Sequence, residues 1–157
     1  MFDQINGLPV HALVLHAAVV FVPLLAAGAI AYALVPRLRP RIGWAVVLLA
    51  IVAPVTAVVT RLSGEELLER LQAQGLKGRG AEILADHMDY GNLTAYVSVA
   101  LGVVSLIMVF LTGRKTSSLP KIADIALAVV MVVLAGAAGY LVFKTGDSGA
   151  TAVWGQY

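Results

Sequence analysis

The 157-residue sequence contains no cysteine and little charge. The missing thiols exclude disulfides, thiolate zinc sites, cysteine-ligated iron–sulfur clusters and thioether-attached haem within the chain. Charged residues make up 13% of the sequence and hydrophobic residues 60%, against roughly 25% and about 45–50% in soluble domains. A chain so composed cannot cover itself with a water-facing surface. It suits lipid, where ionisable groups are costly. Mean hydropathy is +0.90. The net charge of +2 and the absence of a basic stripe leave no case for nucleic acid. Also missing is positive charge ahead of the first apolar run: Asp3 precedes it, and Arg37, Arg39 and Arg41 follow it. A cleaved signal has the opposite polarity and a shorter core, so this run reads as a retained span.

Four apolar runs are present, at about 10–34, 43–60, 93–112 and 122–143. Each offers about the 20 residues that a helix needs to cross ~30 Å of hydrocarbon, the shortest only just. Pro23 and Pro54 interrupt two of them, which membrane helices tolerate with a local kink. The fold class expected is all-α: a polytopic membrane protein, a four-transmembrane-helix bundle forming a single domain over 1–157.

The loops set an orientation. Arg37, Arg39 and Arg41 lie in the first short loop, and Arg114, Lys115 and Lys121 in the third, with no acid in either. Six of the 11 Lys and Arg residues thus sit in two short loops, which the positive-inside rule places in the cytoplasm. Both termini and the mixed-charge loop 61–92 then lie outside a plasma (inner) membrane. Within that loop, Ser63 and Glu66 have capping-box spacing, Leu67, Leu68 and Leu71 form a stripe, and Gly75 stops a helix. A second helical stretch starts at Ala81. An amphipathic helical hairpin lying on the outer face of the bundle is expected.

All three histidines fall on the outer side. His11 opens the first span, His16 lies about 7.5 Å deeper at 1.5 Å per residue, and His87 stands before the third span. An ionisable residue within a span points to function, and His16 is the deepest. On a helical wheel it shares an arc with Ala12, Val19, Pro23, Ala27 and Ile30, whereas Val14, Phe21, Leu24 and Leu25 suit lipid, so His16 is expected to face the bundle. His11 sits about 140° away at 100° per residue, a poor pairing for one metal ion on a regular helix. His87 shares an apolar arc with Ile83, Leu84 and Met88, while Glu82, Asp86 and Asp89 gather on the opposite, solvated side.

Three uses fit histidines on separate helices. Haem b takes axial histidines from facing helices, and Arg61 at the outer end of the second span would pair with a propionate. Copper or zinc would use the imidazoles with Met88. Alternatively, no cofactor binds, and each histidine hydrogen-bonds across helices or to interfacial water. His16 is expected to be the central ligand, with His11, His87 and Arg61 around it. Asp124 reads as a first-turn acid favoured by the helix dipole. Trp44, Tyr90, Tyr140, Trp154 and Tyr157 read as interface anchors. Ala135 and Gly139 have small-xxx-small spacing for close helix packing, with a homo-oligomer seam as the alternative use.

The segment Gly7-Leu8-Pro9-Val10-His11-Ala12-Leu13-Val14-Leu15-His16 resembles the G-x-P-x-H-P-x-x-x-H-F-P signature of domain-of-unknown-function family 2231, prokaryotic four-helix membrane proteins. Thr60 to Leu67 around Ser63-Gly64, and Gly139 to Phe143 with Gly146, are similar to that family's later motifs, so the resemblance spans the chain. Ala12 replaces the family's first proline, and Ala17-Ala18 its aromatic-proline pair. Some family members are joined to Rieske-type domains, and the resemblance therefore implies a link to electron transfer.

The sequence thus reads as an accessory or redox-associated module with a histidine site near the outer face. The competing class is a structural subunit of a larger, respiratory membrane complex with no cofactor of its own. A transporter ranks third, because little intramembrane charge marks a substrate path. The chain has no nucleophile–base pair, phosphate loop or H-E-x-x-H motif, so an enzyme is the weaker reading.

Overall fold

A computed structural model describes residues 4–5, 8–113 and 119–155. Arg114 and Lys115 of the expected third loop, and Tyr157, lie outside the described residues. Four long helices follow one another: α1 (Val10–Leu34), α2 (Arg39–Ala73), α3 (Arg79–Thr112) and α4 (Lys121–Trp154). A two-residue antiparallel pairing of Gln4–Ile5 with Leu8–Pro9 precedes α1, and one 3-10 turn, Pro36–Leu38, links α1 to α2. All four helices are long and apolar enough to cross a membrane.

The helices form an antiparallel ring: α1 packs on α2 and α4, α3 packs on α2 and α4, and α1 meets α3 only slightly across the diagonal. The core is made of small and flexible apolar side chains, among them Val22, Leu25, Ala29, Ala53, Leu101, Met108, Met131 and Ala138, all inaccessible to solvent. Helices α2 and α3 approach closely at Gly102. A Cβ on Gly102 would stand 2.6 Å from the carbonyl oxygen of Ala50 and 2.8 Å from Cγ of Pro54. Pro54 has no N–H to offer Ala50, four residues back. The freed carbonyl therefore sits where α3 presents no side chain.

The helices overrun the expected spans. At 1.5 Å per residue the 35 residues of α2 extend about 52 Å, well beyond ~30 Å of hydrocarbon. The hairpin of the long loop is present, but it does not lie flat. Its arms are unbroken continuations of α2 and α3, joined by a turn in which Gly75 and Gly78 take φ of +95° and +65°. Ser63 does not cap a new helix: its hydroxyl donates to the carbonyl of Thr60 at 2.9 Å inside the continuous α2. No proline separates Thr60 from Gly75, so nothing ends the helix until the glycine turn. Likewise α4 runs eleven residues past Phe143.

One orientation within the bundle is also corrected. The arc of α1 that faces the core carries Val22, Leu25, Ala26, Ala29 and Ala33, whereas Val19, Pro23 and Ala27 are exposed. Leu25, on the arc that suits lipid by the helical wheel, is instead fully buried. A helix that is apolar all round, with alanines on both sides, gives the hydrophobic period nothing to report.

The end of the bundle away from the glycine turn is tied by polar contacts. Arg39 forms a two-pronged ion pair with Asp124 at 2.9 and 3.2 Å, and donates also to the carbonyls of Tyr32 and Ala33. The Tyr32 and Thr112 hydroxyls are 2.7 Å apart, joining α1 to α3. Asp124 is indeed in the first turn of α4, and its partner is Arg39.

Candidate functional site

At the opposite end all four helices line a cavity of about 360 Å³. Its wall is largely aliphatic, with Leu15, Leu67, Leu68, Leu71, Leu84 and Val142 contributing, and its polar groups are few. Two of them are the imidazoles of His11 and His87. Their ring centres are 6.2 Å apart and their planes cross at 88°.

Each ring is held through Nδ1. His11 Nδ1 is 2.9 Å from the carbonyl oxygen of Thr60 on α2. His87 Nδ1 is 3.0 Å from the carbonyl oxygen of Thr145 on α4. A carbonyl only accepts, so in both residues Nδ1 carries the hydrogen, and the neutral ring keeps its lone pair on Nε2. Ser63 and Ser148 place hydroxyl oxygens 3.4 and 3.2 Å from the same nitrogens. Each ring also lies on a glycine: a Cβ on Gly64 would be 3.1 Å from Cε1 of His11, and one on Gly149 would be 2.9 Å from Cε1 of His87.

Arg61 lines the cavity too, but it is engaged. Its Nε donates to Asn92 and one terminal nitrogen to Glu65 at 2.6 Å, and its guanidinium carbon stands 5.8 Å from the centre of the Tyr96 ring. Met88 lines the same cavity, its sulfur 3.6 Å from where a Cβ of Gly64 would be. Glu82, Asp86 and Asp89 are exposed on the other side of α3, as their arc predicts.

A family model described as a predicted membrane protein, DUF2231, matches residues 7–156. The chain belongs to this family. No curated protein and no solved structure matches it. Seen on this DUF2231 structure, the histidines of the opening motif part company. His11 turns into the cavity, whereas His16 is exposed on the outer surface of α1 and bonds its own helix at Ala12 O, 2.7 Å away. The expected inward orientation of His16 is therefore overturned, for the reason that misplaced Leu25. His11 pairs instead with His87, from the helix diagonally opposite.

Among the described residues no group of three or more His, Asp and Glu could hold a metal ion. The seats under the two rings were not anticipated from sequence. The signal for them is nonetheless there, since the pattern T-x-x-S-G occurs at both places where an imidazole docks.

Proposed function

We propose that this DUF2231 protein is a membrane-embedded, redox-associated module whose cavity holds haem b between His11 and His87. The observation that carries this reading is the pair itself: two imidazoles from different helices, both with Nδ1 tied to a backbone carbonyl, lining one apolar cavity. Nδ1–H···O=C bonding is the usual way a ligating imidazole is oriented and made more basic. Two imidazoles that ligate one metal in line through Nε2, with metal–nitrogen bonds of ~2.0 Å, have ring centres about 6 Å apart; here the value is 6.2 Å.

The donor set favours haem over a bare ion. Haem brings four ring nitrogens and asks the protein only for axial ligands, and bound in this way it supplies one-electron chemistry. A zinc site needs three or four protein donors, more than the two imidazoles offer. The cavity of about 360 Å³ lies at the small end of the range for small-molecule sites, ~300–1,000 Å³, so a porphyrin would extend beyond it. Arg61 lines the cavity, and pairing with a propionate would draw its guanidinium from Asn92 and Glu65. A copper(I) ion held by the two imidazoles and the Met88 sulfur is the second reading, favoured by the position of that sulfur. A ring separation of 6.2 Å also suits an edge-to-face pair, for which ~4.5–7 Å is usual. In that structural reading the chain is a cofactor-free subunit of a larger membrane complex.

The histidine end is proposed to face outward from the plasma membrane, on the strength of the basic residues at the other end. The test of the main reading is an absorbance spectrum of protein purified in detergent. A Soret band with reducible α and β bands is expected. A featureless spectrum rejects haem, and elemental analysis then separates copper from no cofactor. Co-purification with a respiratory complex would favour the subunit.

A further inference from the structure

T-x-x-S-G occurs twice, as Thr60–Gly64 in α2 and as Thr145–Gly149 in α4. The two copies have the same local chemistry. Each threonine hydroxyl donates to the carbonyl four residues back, Thr60 to Thr56 at 2.7 Å and Thr145 to Leu141 at 2.8 Å. Each serine hydroxyl donates to the carbonyl of its threonine, at 2.9 Å for Ser63 and 3.1 Å for Ser148. That carbonyl also accepts the Nδ1 hydrogen of a histidine on the preceding helix, at 2.9 and 3.0 Å. Beneath each ring lies the motif's glycine, its missing Cβ leaving room for Cε1.

We propose that the chain repeats one α-hairpin, α1–α2 and then α3–α4, with the halves related by a pseudo-two-fold axis along the bundle, and that T-x-x-S-G is an imidazole seat used once in each. A shared five-residue pattern alone would be weak evidence. Here the pattern is joined by matching hydrogen bonds, matching tautomers and matching close approaches, at the same end of equivalent helices. The packing agrees: α1 on α2 corresponds to α3 on α4, and α2 on α3 to α4 on α1.

The repeat narrows the class of ligand, and this step rests on the haem reading. Two equivalent seats offer two Nε2 lone pairs from opposite sides of the axis. On the haem reading, His11 and His87 would each supply one Nε2 lone pair to one metalloporphyrin per chain, as a linear two-coordinate ion would also allow. With both histidines engaged, the chain would leave no position for a small exogenous ligand, which would set the site apart from an oxygen-binding or oxygen-activating one.

Two measurements test this and fail separately. The first needs no cofactor: ¹⁵N-histidine NMR in micelles, with correct folding of each variant checked by circular dichroism. His11 and His87 should both be Nδ1–H tautomers. Gly64→Ala should shift the resonances of His11 more than those of His87, and Gly149→Ala those of His87 more than those of His11, by similar amounts. Ser63→Ala and Ser148→Ala, which add no atoms, serve where an alanine at the glycine prevents folding. An Nε2–H tautomer in either residue, or a seat substitution that leaves its own histidine unmoved, overturns the repeated seat whatever the spectrum shows. The second is carbon monoxide added to dithionite-reduced protein carrying haem. An unshifted Soret band is expected. A shifted band overturns the filled faces while leaving haem in place, and a protein without haem rejects the haem reading while NMR still decides the seats.

Discussion

His11 and Thr60 meet at 2.9 Å, imidazole Nδ1 to carbonyl oxygen, across the α1–α2 boundary. His87 and Thr145 repeat the contact, so the two histidines have equal standing. His16 bonds only its own helix and faces outward. His11→Ala and His87→Ala should each abolish six-coordinate haem absorbance, and His16→Ala should retain it. Soret absorbance per mole of folded protein checks this. Retention in His11→Ala together with loss in His16→Ala would falsify the assignment of ligands.

The ion pair at the other end is half-buried and two-pronged. Surface pairs contribute ~0–1 kcal/mol, whereas breaking a buried one costs ~3–5 kcal/mol. With the side chains 14% and 28% exposed, Arg39→Ala should cost about 1–3 kcal/mol, since it also strips donors from the Tyr32 and Ala33 carbonyls. Asp124→Asn should cost less than Arg39→Ala. A double-mutant cycle by denaturation in mixed micelles gives the coupling, and additive losses would show that the pair is not an energetic unit.

Gly102 has no room for a methyl group. A Cβ at this position would stand 2.6 Å from a backbone oxygen and 2.8 Å from a proline ring, neither of which has a rotamer to move away. Gly102→Ala should therefore separate α2 from α3, at about 1–3 kcal/mol for overpacking. Gly136 has open space around it, so Gly136→Ala should be neutral or slightly stabilising by helix propensity. In thermal melts the midpoint should fall for Gly102→Ala and hold or rise slightly for Gly136→Ala.

Four long apolar helices were legible in the sequence because length and apolarity are enough to read them, and their order puts the histidines at one end of the bundle. The rotation of α1 was not. Its core face and its outer face are both Ala- and Val-rich, and placing His16 inside and Leu25 outside inverted the two. The overrun of α2 past Thr60 was missed because Ser63 and Glu66 imitate a helix start, although the backbone there was already helical. His87 was correctly turned towards apolar surroundings, since α3 does carry charge on its opposite arc. The pairing of His11 with His87 depends on which helices lie diagonally, and that is settled by packing. The repeated T-x-x-S-G could have suggested it.

The absence of cysteine gives the proposed orientation a clean test. The α2–α3 turn is exposed at Gln74, and the opposite end is exposed at Arg37. A single cysteine at either place is the only thiol in the protein, so any labelling reports that place alone. The positive-inside rule puts Arg37 in the cytoplasm. In intact cells, Gln74→Cys should react with a membrane-impermeant maleimide and Arg37→Cys should react only after permeabilisation. The reverse pattern would turn the bundle over and place the cavity at the cytoplasmic face. A haem held there would exchange electrons with partners inside the cell rather than outside it, even though its two ligands would be unchanged.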